Sequence, residues 1–311
     1  LYIGYPNWHL NYSWKKIRGE DMASYTKTKM NPKGFNKNQI KLYIILFPVI
    51  LFMLLPIVYI FTTAFKPIDE LFLFPPRFLV KNPTISNFTK LFEAGSGEIP
   101  VSRYAFNSIV VTLAVLFFSI VISSMAGFAL SKMKFAGKKF WFEVNQLALM
   151  FVAASVAIPK YLVVEKLGLI DTIWAHIFTI LAIPVGLFLV KQFIDQIPDS
   201  LIEAAYIDGA GDFMIYRKII IPLIMPALAT VAILAFQTVW NGTETSSLYI
   251  NNDQIKTLAF YMNTLSSTSG NTIAGQGIAA AASLIMFLPN VIIFIFFQSK
   301  IMNTVAHSGI K

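Results

Sequence analysis

Glu203, Asp208, Asp212, Arg217 and Lys218 crowd one short stretch, EAAYIDGAGDFMIYRKIIIPL, which lies between two strongly apolar runs. Carboxylates, cations and two glycines at this spacing could cap a helix, turn the chain or meet a charged partner; they do not compose a catalytic set. Cysteine is absent, which excludes disulfides, thiolate metal sites and cysteine nucleophiles. His9, His176 and His307 are far apart in sequence, so no metal site is expected. FAGKKF at 135–140 pairs Gly137 with Lys138, but a phosphate-binding loop needs G-x4-G-K-[ST]. Lys132 stands where the first glycine belongs and Lys139 where the hydroxyl belongs, so the segment reads as a basic loop. Asn107, Glu143, Asn145, Gln146, Lys160, His176, Lys191, Gln237, Asn241, Asn290 and Gln298 fall within apolar runs. Glu143, Lys160, His176 and Lys191 sit near expected helix ends, where side chains reach the interface. Asn145, Gln146, Gln237 and Asn241 are the better candidates for polar contacts inside those runs, because amides hydrogen-bond without a charge penalty. Trp240 could stack on a ring-shaped ligand, although tryptophan beside an apolar run is commonplace.

Membrane helices must hold these groups. The 311 residues are 56% hydrophobic and 13% charged, about half the roughly 25% charge of soluble domains. Several runs approach the ~20 apolar residues that cross a bilayer. The sequence predicts an all-α polytopic membrane protein with six transmembrane helices, at about 42–65, 106–130, 141–164, 173–194, 222–241 and 278–298. The organisation that follows is a cytoplasmic N-terminal segment (1–41), a first transmembrane helix (42–65) and an external loop (66–105). A five-helix core (106–298) comes next, interrupted by a polar loop (199–222), and a cytoplasmic tail (299–311) ends the chain. Lys15, Lys16, Arg18, Lys27, Lys29, Lys33, Lys37 and Lys41 precede the first span, and Lys132, Lys134, Lys138 and Lys139 follow the second. Positive charge is retained in the cytoplasm, so both termini are expected there. The net charge of +9 then reflects topology, with no nucleic acid among the expected partners. The first long apolar run starts near Leu42, too late for a cleaved signal peptide. The chain opens at Leu1, and Met22 and Met30 are expected as alternative starts.

Within the polar loop, Pro198 should end the fourth span, since its ring lacks the N–H a helix needs. Ser200 and Glu203 have the S-x-x-E spacing of a capping box. Gly209 and Gly211 permit a turn, and FMIYRKII leads on to Pro222 at the start of the fifth span. On composition alone Glu203 is a helix cap on a connector lying across the headgroups.

Spacing points further. Glu203-Ala204-Ala205, three residues, Gly209, nine residues, Ile219, one residue and Ile221-Pro222 resemble the E-A-A-x3-G-x9-I-x-L-P loop of binding-protein-dependent ABC importer permeases. Ile221 in place of leucine is the one departure within it. IPKYLVVEKLGLIDT, WNG at 240–242, FKPIDELFLFPPRFLVKNPTISNF and QSKIMNTVAHSGIK extend the resemblance from about Leu42 to Lys311. It is nearest to maltose-permease G-type subunits of carbohydrate importers. Such permeases often carry Met-x-Pro in span three; here Met150 is followed by Phe151-Val152, so no kink is inferred there. The resemblance implies the type I ABC importer (MetI-like) permease fold in a bacterial inner membrane. It implies a coupling helix in which Glu203, Ala204, Ala205, Asp208, Gly209 and Ala210 meet a cytoplasmic ATPase, with the two alanines allowing close approach. It also implies that Ser299, Lys300 and His307 of the tail reach the ATPase, and that Asn145, Gln146, Gln237, Trp240 and Asn241 line a translocation pathway where amides bind sugar hydroxyls and Trp240 stacks on a sugar ring. Implied partners are a second homologous permease, two ATPase subunits that carry ATP and Mg, an extracytoplasmic solute-binding protein and the lipid bilayer; no cofactor is expected in this chain. The alternatives are an importer of a non-sugar solute and an ATP-independent carrier or channel. Against a carrier, no span centre holds a clear carboxylate for ion coupling.

Overall fold

The computed structural model describes residues 40–94, 99–270 and 272–308, and the side chains of these except Lys41, Ala94 and residues 299–308. The expected N-terminal segment therefore lies, up to residue 39, outside the described residues. The chain divides into two units, Leu1–Ile57 and Val58–Lys311. What is described of the first belongs to α1 (Ile40–Ala64), which is apolar at almost every position and contains Pro48 and Pro56. A helix apolar all round has no water-facing side, and the large side chains of this one lie exposed.

In the second unit the end of α1 leads to α2 (Ile68–Leu71), α3 (Ser86–Ala94) and the long α4 (Val101–Lys132). Then come α5 (Lys138–Met150), α6 (Ala153–Lys166), α7 (Ile173–Phe178) and α8 (Pro184–Asp195). The polar loop forms α9 (Asp199–Ile207), α10 (Asp212–Ile215), a π-helical turn (Tyr216–Ile220) and α11 (Ile221–Leu223). α12 (Met225–Trp240), α13 (Glu244–Tyr249), a 3-10 turn (Asp253–Ile255), α14 (Leu258–Ser269) and α15 (Gln276–Ser308) complete it. No strand occurs among the described residues.

α4 is the central element and packs on both α8 and α12. Its buried face carries Ser119, Ser123 and Gly127 at four-residue spacing, the small-residue pattern that lets membrane helices approach closely. A Cβ on Gly127 would stand 2.7 Å from Val190 Cγ1 of α8. Loops are pinned by buried polar groups. Asn107 Nδ2 donates to the Gln254 and Lys256 carbonyls at 2.8 and 3.0 Å. Glu70 accepts from the backbone N–H groups of Lys81 and Asn82 at 3.0 and 2.7 Å.

Some of the expected spans fold as single helices and others are bent or split. Among the described residues, three helices are each long and apolar enough to cross a membrane: Leu42–Ala64, Val101–Lys132 and Gln276–Gln298. Two more crossings are available as bent pairs, Lys138–Met150 with Ala153–Lys166 at 116° and Asp212–Leu223 with Met225–Trp240 at 78°. The fourth expected span is split into α7 and α8 by residues 179–183. Ile183 precedes Pro184 and takes φ −111°, ψ 89°, as expected where the proline ring excludes helical geometry from its neighbour. The third is bent after all, and without proline: Phe151 and Val152 are both extended, at ψ 133° and 134°.

Candidate functional site

The polar loop is built from its ends inward. Pro198 occupies the residue before α9, no side chain caps that helix, and Ser200 lies within it. The expected Ser200–Glu203 capping box is therefore not formed. Instead the start of α9 is held from outside by Lys132, the last residue of α4. Its Nζ donates to the Ile197 carbonyl and to Asp199 Oδ1, both at 2.6 Å. That hydrogen bond and charge hold the Asp199 carboxyl below the usual carboxylate range. Asp195 at the end of α8 accepts from Ser131 Oγ and from Lys191 Nζ. The ends of α4 and α8 are thus clamped to the start of α9.

The far end of α9 explains why Ala205 and Gly209 are spaced as they are. Gly209 N–H donates to the Tyr206 carbonyl at 3.0 Å and Ala210 N–H to the Ala205 carbonyl at 2.9 Å. These are the two bonds of a Schellman motif, whose C′ residue must be left-handed. Gly209 takes φ +82°, whereas Gly211 takes an ordinary φ of −81°. Only the first glycine is there for its backbone freedom.

Ile202 and Ala205 are buried in a cluster with Phe128, Val190, Ile194, Ile215, Ile220, Ile224, Ala227, Leu228 and Val231, and Ala210 packs against it. Ala205 therefore makes its close approach within this chain, whereas Ala204 is exposed and open to a partner. Glu203, Ala204, Ile207, Asp208 and Gly209 are exposed. Ile207 is 86% exposed although it is a large apolar residue. Ser124 and Tyr216, 2.7 Å apart, join α4 to the π-helical turn. Sequence reasoning missed Lys132, Asp199, Ser124 and Tyr216, since no local pattern marks contacts made across 60 or more residues.

The pathway candidates do not come together. Asn145 Nδ2 donates to the Pro184 carbonyl at 3.2 Å, where α8 restarts. Gln146 and Gln237 are exposed on α5 and α12. Trp240 stacks on Phe236 at 5.6 Å and donates from Nε1 to the Met286 carbonyl at 3.3 Å, so one face of its ring is covered within the fold. Asn241 lines a cavity of about 400 Å³ together with Thr243, Ala259, Met262, Asn263, Ser266, Ala282, Ser283, Met286, Phe287 and Asn290. Asn241 and Asn290 exchange amide hydrogen bonds of 3.2 and 3.0 Å across α12 and α15. The lining has amides, hydroxyls and apolar side chains, and no charge. Asn290 is visible in the sequence as an amide inside an apolar run. Asn263 and Ser266 are not, because α14 belongs to the stretch expected as a loop.

The ionisable groups expected near helix ends each have a neighbour in the fold. His176 is fully buried, between Thr245 Oγ1 at 2.7 Å and the Ile255 carbonyl at 3.1 Å. Lys160 faces Glu244 at 3.7 Å, Lys139 faces Glu143 at 3.8 Å, and Lys191 lies 4.4 Å from the Phe142 ring. No cluster of side chains able to hold a metal occurs among the described residues. α15 continues through Ser299, Lys300 and His307 as helix, but their side chains lie outside the described residues.

Comparison with known proteins agrees with this architecture. Residues 26–299 match the family described as binding-protein-dependent transport system inner membrane component. The arabinooligosaccharides transport system permease protein of Halalkalibacterium halodurans is 30% identical over 263 residues, 82% of this chain and 90% of that protein. The diacetylchitobiose uptake system permease protein of Streptomyces coelicolor is 26% identical over 260 residues, 82% and 91% of the two chains. Among solved structures, a chain of a bacterial ABC transporter involved in the import of the acidic polysaccharide alginate superposes with a TM-score of 0.73. It is 22% identical, with 86% of this chain and 99% of that chain covered, a likeness of fold.

Proposed function

Because the chain belongs to the binding-protein-dependent transport system inner membrane component family, we propose that this multi-pass membrane permease subunit serves an ATP-binding-cassette importer and carries a sugar or oligosaccharide into the cytoplasm. The observation that carries the coupling role is the construction of α9. It is clamped by Lys132 at one end, closed by Gly209 at the other, packed on α4, α8 and α12 beneath, and presents Glu203, Ala204, Ile207 and Asp208 outward. A force on that outer face is delivered to three packed helices at once, since close-packed cores move as rigid pieces.

In this reading an ATPase on a separate chain seats α9, with ATP and Mg held by a pair of such subunits. A second homologous permease completes the pathway, a solute-binding protein delivers the solute from outside, and both termini are cytoplasmic. Closure of the ATPase pair rocks the helices so that the cavity opens outward, and reopening resets it inward. Two observations support a carbohydrate. The cavity beside Asn241 and Asn290 offers uncharged donors and acceptors among apolar walls, the lining that suits hydroxyl-rich solutes. The named relatives transport arabinooligosaccharides and diacetylchitobiose.

The test is ATP-dependent uptake by the reconstituted importer carrying Glu203→Arg. Uptake should fall to background with the permease pair still assembled. Normal uptake with the ATPase bound as usual would remove Glu203 from the coupling role, and uptake without any ATPase would favour a carrier.

A further inference from the structure

The segment LFLFPPRFL, residues 71–79, runs from the last residue of α2 into the loop before α3, and most of its large apolar side chains are exposed. Phe72, Leu73, Phe74, Phe78 and Leu79 are all exposed, Phe74 to 95%. An exposed apolar patch of this density needs an occupant. The way the loop is tied to α1 shows which one.

Three contacts fold the loop back alongside the end of α1. Thr62 Oγ1 donates to the Phe78 carbonyl at 2.9 Å, the Tyr59 and Phe78 rings lie 5.9 Å apart, and Lys66 Nζ donates to the Arg77 carbonyl at 2.5 Å. Tyr59 and Thr62 lie inside the membrane-crossing stretch Leu42–Ala64. Ala64 is five residues beyond Tyr59 and two beyond Thr62, so Phe78 lies about 3–8 Å on the membrane side of the end of that stretch, at 1.5 Å per residue. The stretch has 23 residues, about 35 Å of helix, against a hydrocarbon core of about 30 Å. There is little excess length, so its end cannot project far into water. Phe78 is therefore held at the boundary between acyl chains and headgroups, with Phe72–Phe74 and Leu79 beside it in the chain. Arg77 and Lys81 are exposed on the same segment, placed to meet lipid phosphates while their stems stay among apolar groups. Glu70, the carboxylate that organises the loop, is turned inward and buried.

We infer that residues 72–79 form a monotopic lipid anchor that lies in the membrane interface at the C-terminal end of α1. It fixes the depth of that helix end and leaves the solute-binding protein to dock on other parts of the outer surface. The lipid contact needs only that α1 crosses the membrane and does not depend on which solute is carried, whereas the statement about the solute-binding protein rests on the proposed function.

The chain has no cysteine, so Phe74→Cys and Leu79→Cys each create a unique labelling site in this subunit. The experiment uses the complete importer, its other subunits made cysteine-free, with a nitroxide on each site, in nanodiscs containing anionic and zwitterionic phospholipid. ATPase activity stimulated by the loaded binding protein verifies assembly. Collision with oxygen, which concentrates in lipid, should exceed collision with a water-soluble nickel chelate at both sites. The derived depth should fall within the ~5–10 Å of an interfacial segment, and adding the loaded binding protein should change neither. Nickel-dominated collision would overturn the inference, because it places the segment in water. Shielding from both reagents would also overturn it by making the occupant another protein, and shielding only on addition of the loaded binding protein would identify that protein as the solute-binding protein.

Discussion

Gly209 and Gly211 lie two residues apart, are both exposed, and have nothing within 4 Å of the place a Cβ would occupy. They differ in backbone: φ is +82° at Gly209 and −81° at Gly211. Serine at each position separates backbone strain from every other effect of a new side chain. At Gly209 a left-handed L-residue costs about 1–2 kcal/mol, which weakens the turn that closes α9 by roughly 5- to 30-fold. At Gly211 the same residue fits its dihedrals and can cap α10, so the expected change is zero or a few tenths of a kcal/mol in favour. Asparagine tolerates left-handed geometry better than other non-glycine residues, so Gly209→Asn should recover part of the loss. Hydrogen exchange of the assembled importer reads the result directly at the Gly209 and Ala210 amides, which donate to Tyr206 and Ala205. In Gly209→Ser, exchange at the Ala210 amide and at the position 209 amide should quicken by that 5- to 30-fold while α12 stays protected, and ATP-dependent uptake should fall. Equal protection in Gly209→Ser and Gly211→Ser would refute the reasoning, because strain at one glycine alone is its whole basis.

Gly127→Val should cost about 1–3 kcal/mol by overpacking against Val190. Val190→Ala should restore part of it in a double-mutant cycle read by thermal unfolding in detergent. Asn290→Leu should lower uptake severalfold while leaving the ATPase bound, because it breaks the amide pair with Asn241 at the cavity wall; unchanged transport kinetics would dissociate the cavity from the pathway. The Glu70 carboxyl lies below its ordinary 4.5, chiefly through the Lys81 N–H and also through the Asn82 N–H and the Arg77 and Lys66 charges, against the opposing effect of burial. Its contribution is therefore present above about pH 4.5 and lost as pH falls through the lower folded-state value. Protease cleavage within 66–85 should rise on acidification, and Glu70→Gln should show the same exposure at neutral pH with little further change in acid.

The periodicity and composition of the chain made much of this legible. The runs around α1, α4 and α15 are apolar enough to span on their own terms, and each folds as a single helix long enough to do so. The spacing from Glu203 to Pro222 picked out the surface element before any contact was known. Two kinds of feature were not legible. Breaks inside apolar runs, at Phe151–Val152 and around residues 179–183, are hidden because hydropathy reports burial in lipid or protein without reporting direction. Which way a given residue of a short helix faces was hidden as well. Ala204 and Ala205 read alike in sequence, yet one is exposed and the other is packed on the core.

What the sequence by itself determined is chemical: a cysteine-free, helix-forming membrane chain with a polar, glycine-broken element between two apolar runs at 203–223. These follow from residue type and order, and no neighbour can change them. Tertiary structure decided which of two glycines is a backbone requirement, that Lys132 rather than Ser200 holds the start of α9, and that Asn241 finds Asn290 while Asn145 and Trp240 are engaged elsewhere. It also decided that an apolar loop lies level with a membrane helix. All but the first of these depend on distances between residues well apart in the chain, and such distances are set by packing, in which close approach at Gly127 or a bond from Thr62 to Phe78 selects one arrangement among many that the same local pattern allows.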